Sequence, residues 1–166
     1  MGEREVNMSI INVRIDDRLI HGQVANLWIT SIKPSRVMVI DNEASTNDMQ
    51  KRALKMATPA GTALSVLSLD KARTNILAGN YDNQKVMIVV RRPDYLKNLV
   101  DGGIKLPEVI VGCMPKVEGV TRKLSKTIDV SDNDIQIFKY LEENGIRVVA
   151  QAIPSNVPKD ILSLIK

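Results

Sequence analysis

Two short stretches restrict this chain more than anything else in it: RVMVID at residues 36–41 and KVMIVV at residues 85–90. Each is nearly unbroken in aliphatic side chains, and each is strand-length rather than helix-length. A strand with one wet face alternates apolar and polar residues. A strand without that alternation is covered on both faces. The chain therefore calls for a sheet with helices above and below it. Aromatic residues are 3% of the sequence while hydrophobic residues are 44%, so the layers must pack through Ile, Val, Leu, Met and Ala.

The remaining sequence supplies those layers. Further strands are expected at residues 10–15, 62–67, 108–111, 127–130 and 146–153, bounded by Gly, Pro, Asn or Asp. Helices are expected at 23–30, 47–57, 69–78, 93–100, 131–144 and 158–165. Gly79 stops the third of these and Pro93 opens the fourth. Ser131 and Asp134 have capping-box spacing at the start of the fifth, which ends at Gly145. Its Ile135, Phe138 and Leu141 share one face, as helix-on-sheet packing requires. The series predicts a single three-layer α/β domain, with a mostly parallel central sheet of about seven strands and helices on both faces. Its 166 residues suit one core. Residues 1–9 read as an N-terminal extension or added residues, with Met8 a second candidate start, and residues 10–166 as the domain.

Charge excludes some functions. The net charge of +4 arises from 23 basic and 19 acidic residues that are interleaved along the chain. That reads as a solvated mixed surface, not the basic stripe of a nucleic-acid binder, and the scarcity of aromatic rings leaves no stacking platform for bases. One cysteine, Cys113, allows no disulfide within the chain and fits a reducing compartment. It is expected to be a small buried hydrophobe. No apolar run is long enough to span a bilayer, and no secretory signal opens the chain. These features predict a cytoplasmic protein. One histidine and one cysteine in separate loops do not make a zinc site, and no metal or other cofactor is expected.

In open α/β sheets ligands bind outside the carboxyl ends of the strands, where strand order reverses. The first strand usually lies beside that point, so the segment after it is where chemistry is expected. That segment is RIDDRLIHGQV, residues 14–24. It holds His21, the only histidine in the chain, and places Arg14, Asp16, Asp17 and Arg18 within five positions. Singly, each has an ordinary reading: a surface histidine, a local ion-pair network. Together, in a crossover loop at the ligand end of the sheet, they point to function.

The chemistry they suit is phosphoryl transfer. A neutral imidazole is a good nucleophile near neutral pH. A neighbouring aspartate, Asp17 or Asp16, can hold the other ring nitrogen and fix the tautomer. A phosphoryl group brings about two negative charges that must be held. A helix terminus contributes about 0.3–1 kcal/mol to an anion, a hydrogen bond to a charged group about 1.5–3 kcal/mol. Arginine should therefore dominate: Arg18 first, because it lies in the loop, and Arg14 second, because it can point to the opposite face of the strand. Gly22 lets a backbone approach closely, and Gln23 joins the phosphate-binding or orienting set. Ser68, after the third strand, could reach a phosphate from a neighbouring loop, although a helix N-cap is its ordinary role. Arg91 and Arg92 read as a solvated pair, with an acidic partner face as the alternative. Trp28 and Met38 read as core.

At these residues the sequence resembles the IIB components of the mannose–fructose–sorbose class of phosphoenolpyruvate-dependent sugar phosphotransferase systems. RIDDRLIHGQV is similar to that family's active-site signature nearly residue for residue. The resemblance continues through Trp28, TPAG at 58–61, GGIKLPEVIVG at 102–112 and DVSDNDIQIFKYLEENGI at 129–146. It covers the chain from about Ile10 onward, and residues 1–7 have no counterpart. It implies a single α/β domain, often a homodimer. It implies that His21 takes a phosphoryl group on Nδ1 from phosphohistidine of a IIA protein or domain, with Arg18 in contact. The group then goes to a sugar bound by the IIC and IID membrane subunits, without metal or nucleotide. Family members often carry Val-Gly-Gly-Met where this chain has Val111-Gly112-Cys113-Met114.

Three other functions fit less well. A receiver domain phosphorylated on aspartate would need an acceptor at the end of the third strand. That end reads Leu67-Ser68-Leu69-Asp70, with Asp70 already in a helix. A nucleotidyltransferase HxGH motif needs a second histidine. A non-enzymatic binding module leaves the His21 loop unexplained.

Overall fold

The apolar runs at 36–40 and 85–90 do become strands buried on both faces, and they sit near the middle of the sheet. In the computed structural model, which describes residues 9–22, 24–119 and 121–165, the strands and helices alternate as the sequence predicts. The order is β1 (Ser9–Asp16), a π-helical segment (Val24–Ile29) running into α1 (Thr30–Ile32), β2 (Arg36–Ile40), α2 (Asn42–Ser45) and α3 (Asp48–Ala57). Next come β3 (Ala63–Leu67), α4 (Leu69–Leu77), β4 (Lys85–Val90), α5 (Asp94–Asp101) and β5 (Val109–Cys113). The chain ends with β6 (Thr121–Ser125), β7 (Ile128–Ser131), α6 (Asp132–Glu143), β8 (Val148–Ala150), β9 (Lys159–Asp160) and a 3-10 turn at Leu162–Leu164. Of the expected N-terminal extension, all but its last residue lies outside the described residues.

The central sheet has seven strands in the order β3-β2-β4-β1-β5-β8-β9. Every neighbouring pair is parallel except β8 with β9. Side chains alternate across it, as the strand period demands. Val13, Ile15, Met38, Ile40, Ile88 and Val111 enter one core, completed by Leu96, Leu99, Phe138 and Leu141 from α5 and α6. Val37, Val39, Met87, Val89, Ile110 and Val149 enter the other, under Leu19, Ile20, Trp28, Ile29 and Leu54. Among the described residues, no helix is long and apolar enough to cross a membrane.

Topology creates the crevice. The connection after β1 runs to β2 on one side of the sheet, whereas the connection after β4 runs to β5 on the other. Right-handed crossovers then place the two connections on opposite faces. The carboxyl ends of β1 and β4 therefore flank a switch point, as expected for the segment that follows β1.

Four expectations need correction. The strand expected at 127–130 is β7, and it leaves the central sheet to pair antiparallel with β6. β6 is too polar and exposed to announce itself, with only Thr121 and Leu124 half-buried. The strand expected at 146–153 is only three residues long, Val148–Ala150. The carbonyls of Gln151 and Ala152 accept from Arg14 instead of continuing the ladder. The helix expected at 158–165 gives way to β9, because the buried Ile161 donates its N–H to the Val148 carbonyl at 2.9 Å and holds this segment along β8. The helix expected from residue 23 is wound wider, as a π-helix, over Val24–Ile29. A π-turn of this kind is uncommon and frequently accompanies functional sites.

The capping box is present as read. Ser131 Oγ accepts from the Asp134 N–H at 3.1 Å, and the Asp134 carboxylate accepts from the Ser131 N–H at 2.9 Å. Replacing Ser131 by Ala should lower unfolding stability by about 1 kcal/mol. Urea denaturation checks this, with the midpoint shifted and the slope unchanged.

Candidate active site

The site begins with a carboxylate that water cannot reach. Asp16, the last residue of β1, is fully buried. Its Oδ1 accepts from the Arg18 backbone N–H at 2.9 Å and from Arg18 Nε at 3.1 Å. Its Oδ2 accepts from Arg18 Nη2 at 3.1 Å. Arg14 Nε lies 3.7 Å from Oδ2 on the inner side. Arg18 thus grips Asp16 with a bidentate fork while its Nη1 forms no hydrogen bond among the described residues. Its side chain is 38% exposed.

Arg14 is the structural half of this arrangement. It is fully buried on the same face of β1 as Asp16. Nη1 donates to the Gln151 carbonyl and Nη2 to the Ala152 carbonyl, both at 3.1 Å. The guanidinium carbon stands 4.8 Å from the centre of the Trp28 ring. The Trp28 Nε1–H also donates to the Ala152 carbonyl, at 2.9 Å. Burial pushes the Arg14 guanidinium down to about 10, against the pull of Asp16, so it stays charged at neutral pH. Gly112 makes the space: a Cβ there would stand 2.0 Å from Arg14 Nη2 and 2.4 Å from its guanidinium carbon. In the Val111-Gly112-Cys113-Met114 run it is Gly112, not the following position, that this packing requires.

His21 stands exposed at the end of the loop. Its carbonyl accepts from the Ala25 N–H at 2.8 Å, where the π-helix begins. Among the described residues, its imidazole donates no hydrogen bond to Asp16 or Asp17. The expectation that an aspartate holds the ring nitrogen is thus not met in this structure: Asp16 is turned inward to the arginines, and Asp17 contributes its backbone. The Asp17 N–H donates to the Cys113 carbonyl at 3.0 Å. Between them the chain turns sharply, with the Leu19 N–H bonded to the Asp16 carbonyl at 2.9 Å. Leu19 adopts φ of 58°. A leucine in that left-handed region costs about 1–2 kcal/mol, and its fully buried side chain, packed in the second core, holds it there. At Gly22 a Cβ would meet only Asn26 Nδ2, at 4.0 Å, so the fold does not demand glycine there. Gln23 lies outside the described residues.

The arginine pair after β4 is not solvated as a pair. Arg91 reaches the β1 loop: its Nη1 donates to the Asp17 carbonyl, its Nη2 to Gln50 Oε1 at 3.3 Å, and its Nε lies 3.4 Å from Asp41. Arg92 turns the other way, to the Pro115 carbonyl and the Asp134 carboxylate. Arg18, Leu19, Ile20, Gln50 and Arg91 line an open cleft of about 290 Å³ beside the loop. Sequence reasoning missed the tethering by Arg91, because its position opposite Asp17 follows from strand order and not from any local pattern. Ser68 is not brought to this site. It caps α4, accepting from the Lys71 N–H at 3.2 Å. β3 stands three strands from β1, roughly 14 Å at ordinary strand spacing.

Comparison with known proteins shows the family and the fold. Residues 10–166 match the family model described as PTS system sorbose subfamily IIB component. The sorbose-specific EIIB component of Lacticaseibacillus casei is 31% identical over 158 residues, 95% of this chain and 96% of that protein. The mannose-specific EIIAB component of Escherichia coli strain K12 is 32% identical over 152 residues, which are 92% of this chain and 47% of that longer protein. The crystal structure of the IIBSor domain of the sorbose permease from Klebsiella pneumoniae superposes with a TM-score of 0.90 at 28% identity, covering 95% of this chain and 96% of that one.

Two measurements check the packing of the site. Gly112→Ala should cost about 3 kcal/mol, because the new methyl displaces Arg14 and leaves buried charge badly paired. A urea midpoint within error of wild type would contradict this. Burial first, and then the Asp16 carboxylate, push the Cys113 thiol above its ordinary value. The thiolate is the reactive form, so alkylation of Cys113 by iodoacetamide should stay slow at neutral pH and accelerate only at a higher pH than for an ordinary exposed thiol. Rapid modification at neutral pH would show a thiol less protected than the structure implies.

Proposed function

The chain belongs to the sorbose subfamily of PTS IIB components, which are phosphotransferases of sugar uptake, and from that premise we propose that His21 is its phosphoryl carrier. In this reading His21 accepts the group from a phosphorylated IIA protein or domain and passes it to a sugar presented by IIC and IID membrane subunits. The reading places the protein in the cytoplasm, working against the inner face of those subunits. The relatives named for sorbose and mannose support a monosaccharide as the final acceptor.

One observation carries the proposal. The chain's only histidine stands exposed in the loop after the central strand, three residues from an arginine whose guanidinium is fixed by Asp16 yet keeps one nitrogen without a hydrogen bond among the described residues. The imidazole lone pair attacks phosphorus, a P–N bond forms on His21, and the P–N bond of the donor histidine breaks. The departing ring takes up the proton that the incoming ring sheds, by way of solvent. In the second step a sugar hydroxyl attacks, a P–O bond forms, and the released imidazole accepts the hydroxyl proton. Arg18 is placed to meet the phosphoryl oxygens. Gly22, and Gln23 beside it, complete the proposed cradle, since glycine at 22 leaves the backbone uncovered. Arg14 serves by fixing Asp16, and Asp16 by fixing Arg18. Asp17 acts through its backbone.

The test is transfer from labelled phosphoenolpyruvate through the general phosphotransferase proteins and a IIA of this class. Wild type should take up label that is lost in acid and kept in alkali, and His21→Ala should take up none while remaining folded. Arg18→Ala should slow transfer by about ten- to a hundred-fold, the equivalent of one charge-assisted hydrogen bond in the transition state. Label retained on His21→Ala would move the acceptor elsewhere.

A further inference from the structure

Arg91 and Arg92 leave the end of β4 in opposite directions, and only Arg91 meets the loop that carries His21. Its guanidinium is directed into the protein, with both Nη atoms hydrogen-bonded and the buried Nε making no hydrogen bond. Nη1 donates to the Asp17 carbonyl and Nη2 to Gln50 Oε1, and Nε faces Asp41. Asp41 is itself nearly buried and fixed, because its other oxygen caps α2 by accepting from the Ala44 N–H at 2.9 Å. Gln50 stands in the first turns of α3. Arg91 therefore joins the β1 loop to a wall built from the end of β2 and from α3.

The point of attachment matters. The N–H of Asp17 is taken by the Cys113 carbonyl on β5, and its carbonyl by Arg91 just after β4. The residue immediately before Arg18 is thus held from both neighbouring strands. Arg18 follows, with backbone and guanidinium both on Asp16. Then come the left-handed Leu19, the buried Ile20 and the exposed His21. Without Arg91, the turn keeps its grip on Asp16 but loses its hold on the α3 side. A strained turn persists only where its surroundings over-determine it.

We infer that Arg91 is a positioning residue for phosphoryl transfer, holding the Asp17 peptide so that Arg18, which borders the cleft, and His21, three residues on, keep a fixed relation. The inference rests on the reading of His21 as the acceptor. Both Nη atoms of Arg91 already donate within the protein and its Nε is buried, so its part is to hold the loop, whereas Arg18 Nη1 forms no hydrogen bond among the described residues. A rigid planar fork faces the Asp17 carbonyl, Gln50 and Asp41 in fixed directions that an ammonium on a flexible stem does not reproduce, so Arg91→Lys should restore only part of what Arg91→Met removes.

Two readouts on the full-length protein test this. In hydrogen exchange followed by NMR, Arg91→Met should speed exchange of the Arg18 and Leu19 amides by about ten-fold or more, with those of Val148 and Val149 unchanged. In single-turnover transfer from phospho-IIA, the rate constant at saturating donor should fall by about ten-fold or more, while half-saturation stays within about two-fold. Arg91→Lys should fall between Arg91→Met and wild type in both. Wild-type transfer by Arg91→Met overturns the inference, whether or not the loop loosens. So does a change confined to half-saturation, which would make Arg91 a docking residue. Loosening that reaches Val148 and Val149 would reduce Arg91 to a general stabiliser and overturn it as well. A wild type that takes no label overturns the carrier reading and this inference together, whereas a labelled wild type matched by Arg91→Met overturns this inference alone.

Discussion

The structure is organised around one buried carboxylate. Taking an aspartate out of water costs several kcal/mol, recovered only when its oxygens are well paired. Asp16 meets that demand with Arg18 on its outer side and Arg14 on its inner side. Arg14 then brings its own demand, being fully buried too. It takes the carbonyls of Gln151 and Ala152, lies against Trp28, and needs the empty space at Gly112. A single charge at the end of β1 thereby fixes where β8 stops, why a glycine stands in β5, how the π-helix presents its indole, and where Arg18 points.

The order of the strands decides what these residues can reach. β1 lies between β4 and β5, so the loop after it is flanked by two strand ends. Each contributes a contact to Asp17: Cys113 from β5 through a backbone hydrogen bond, and Arg91 from the end of β4 through its side chain. Arg92 ties the other face of the sheet, reaching Pro115 and the capping box at the start of α6. Two consecutive arginines thus secure the two sides of the switch point.

Much of this was legible before any coordinates. Runs such as KVMIVV could only be doubly covered strands, and the Ser131–Asp134 spacing located a helix start correctly. The loop at 14–24 declared itself by density of charge around a single histidine. What was not legible depended on long-range pairing. β6 is polar and exposed, and only its antiparallel partner makes it a strand. Residues 159–160 join the sheet because β8 offers an edge, a fact no local pattern contains. Arg14 and Arg18 are chemically identical in the sequence. The alternation of β1 and the Gly112 space decide that one is interior and the other at the surface. The sequence offers both aspartates as candidates to hold the imidazole. They sit one residue apart at the strand end, so one faces the core and the other can lend its peptide to neighbouring strands.

The same arrangement separates charge that is buried from charge that is offered. Arg14 and Asp16 cancel one another inside the protein. Arg18 shares Asp16 but stands 38% exposed, so the net positive charge of the trio lies at its outer end. In the proposed reaction a group carrying about two negative charges arrives beside that end. Stabilisation of developing charge is largest when the donors are already oriented and need not reorganise as the reaction proceeds. An arginine held only by solvent would have to be ordered at each transfer. Arg18 is held by two of its own nitrogens and by its backbone N–H, all on one carboxylate that cannot itself move. The cost of burying Asp16 and Arg14 is met on folding, once, and the donor left over at the surface is in place before any phosphoryl group arrives.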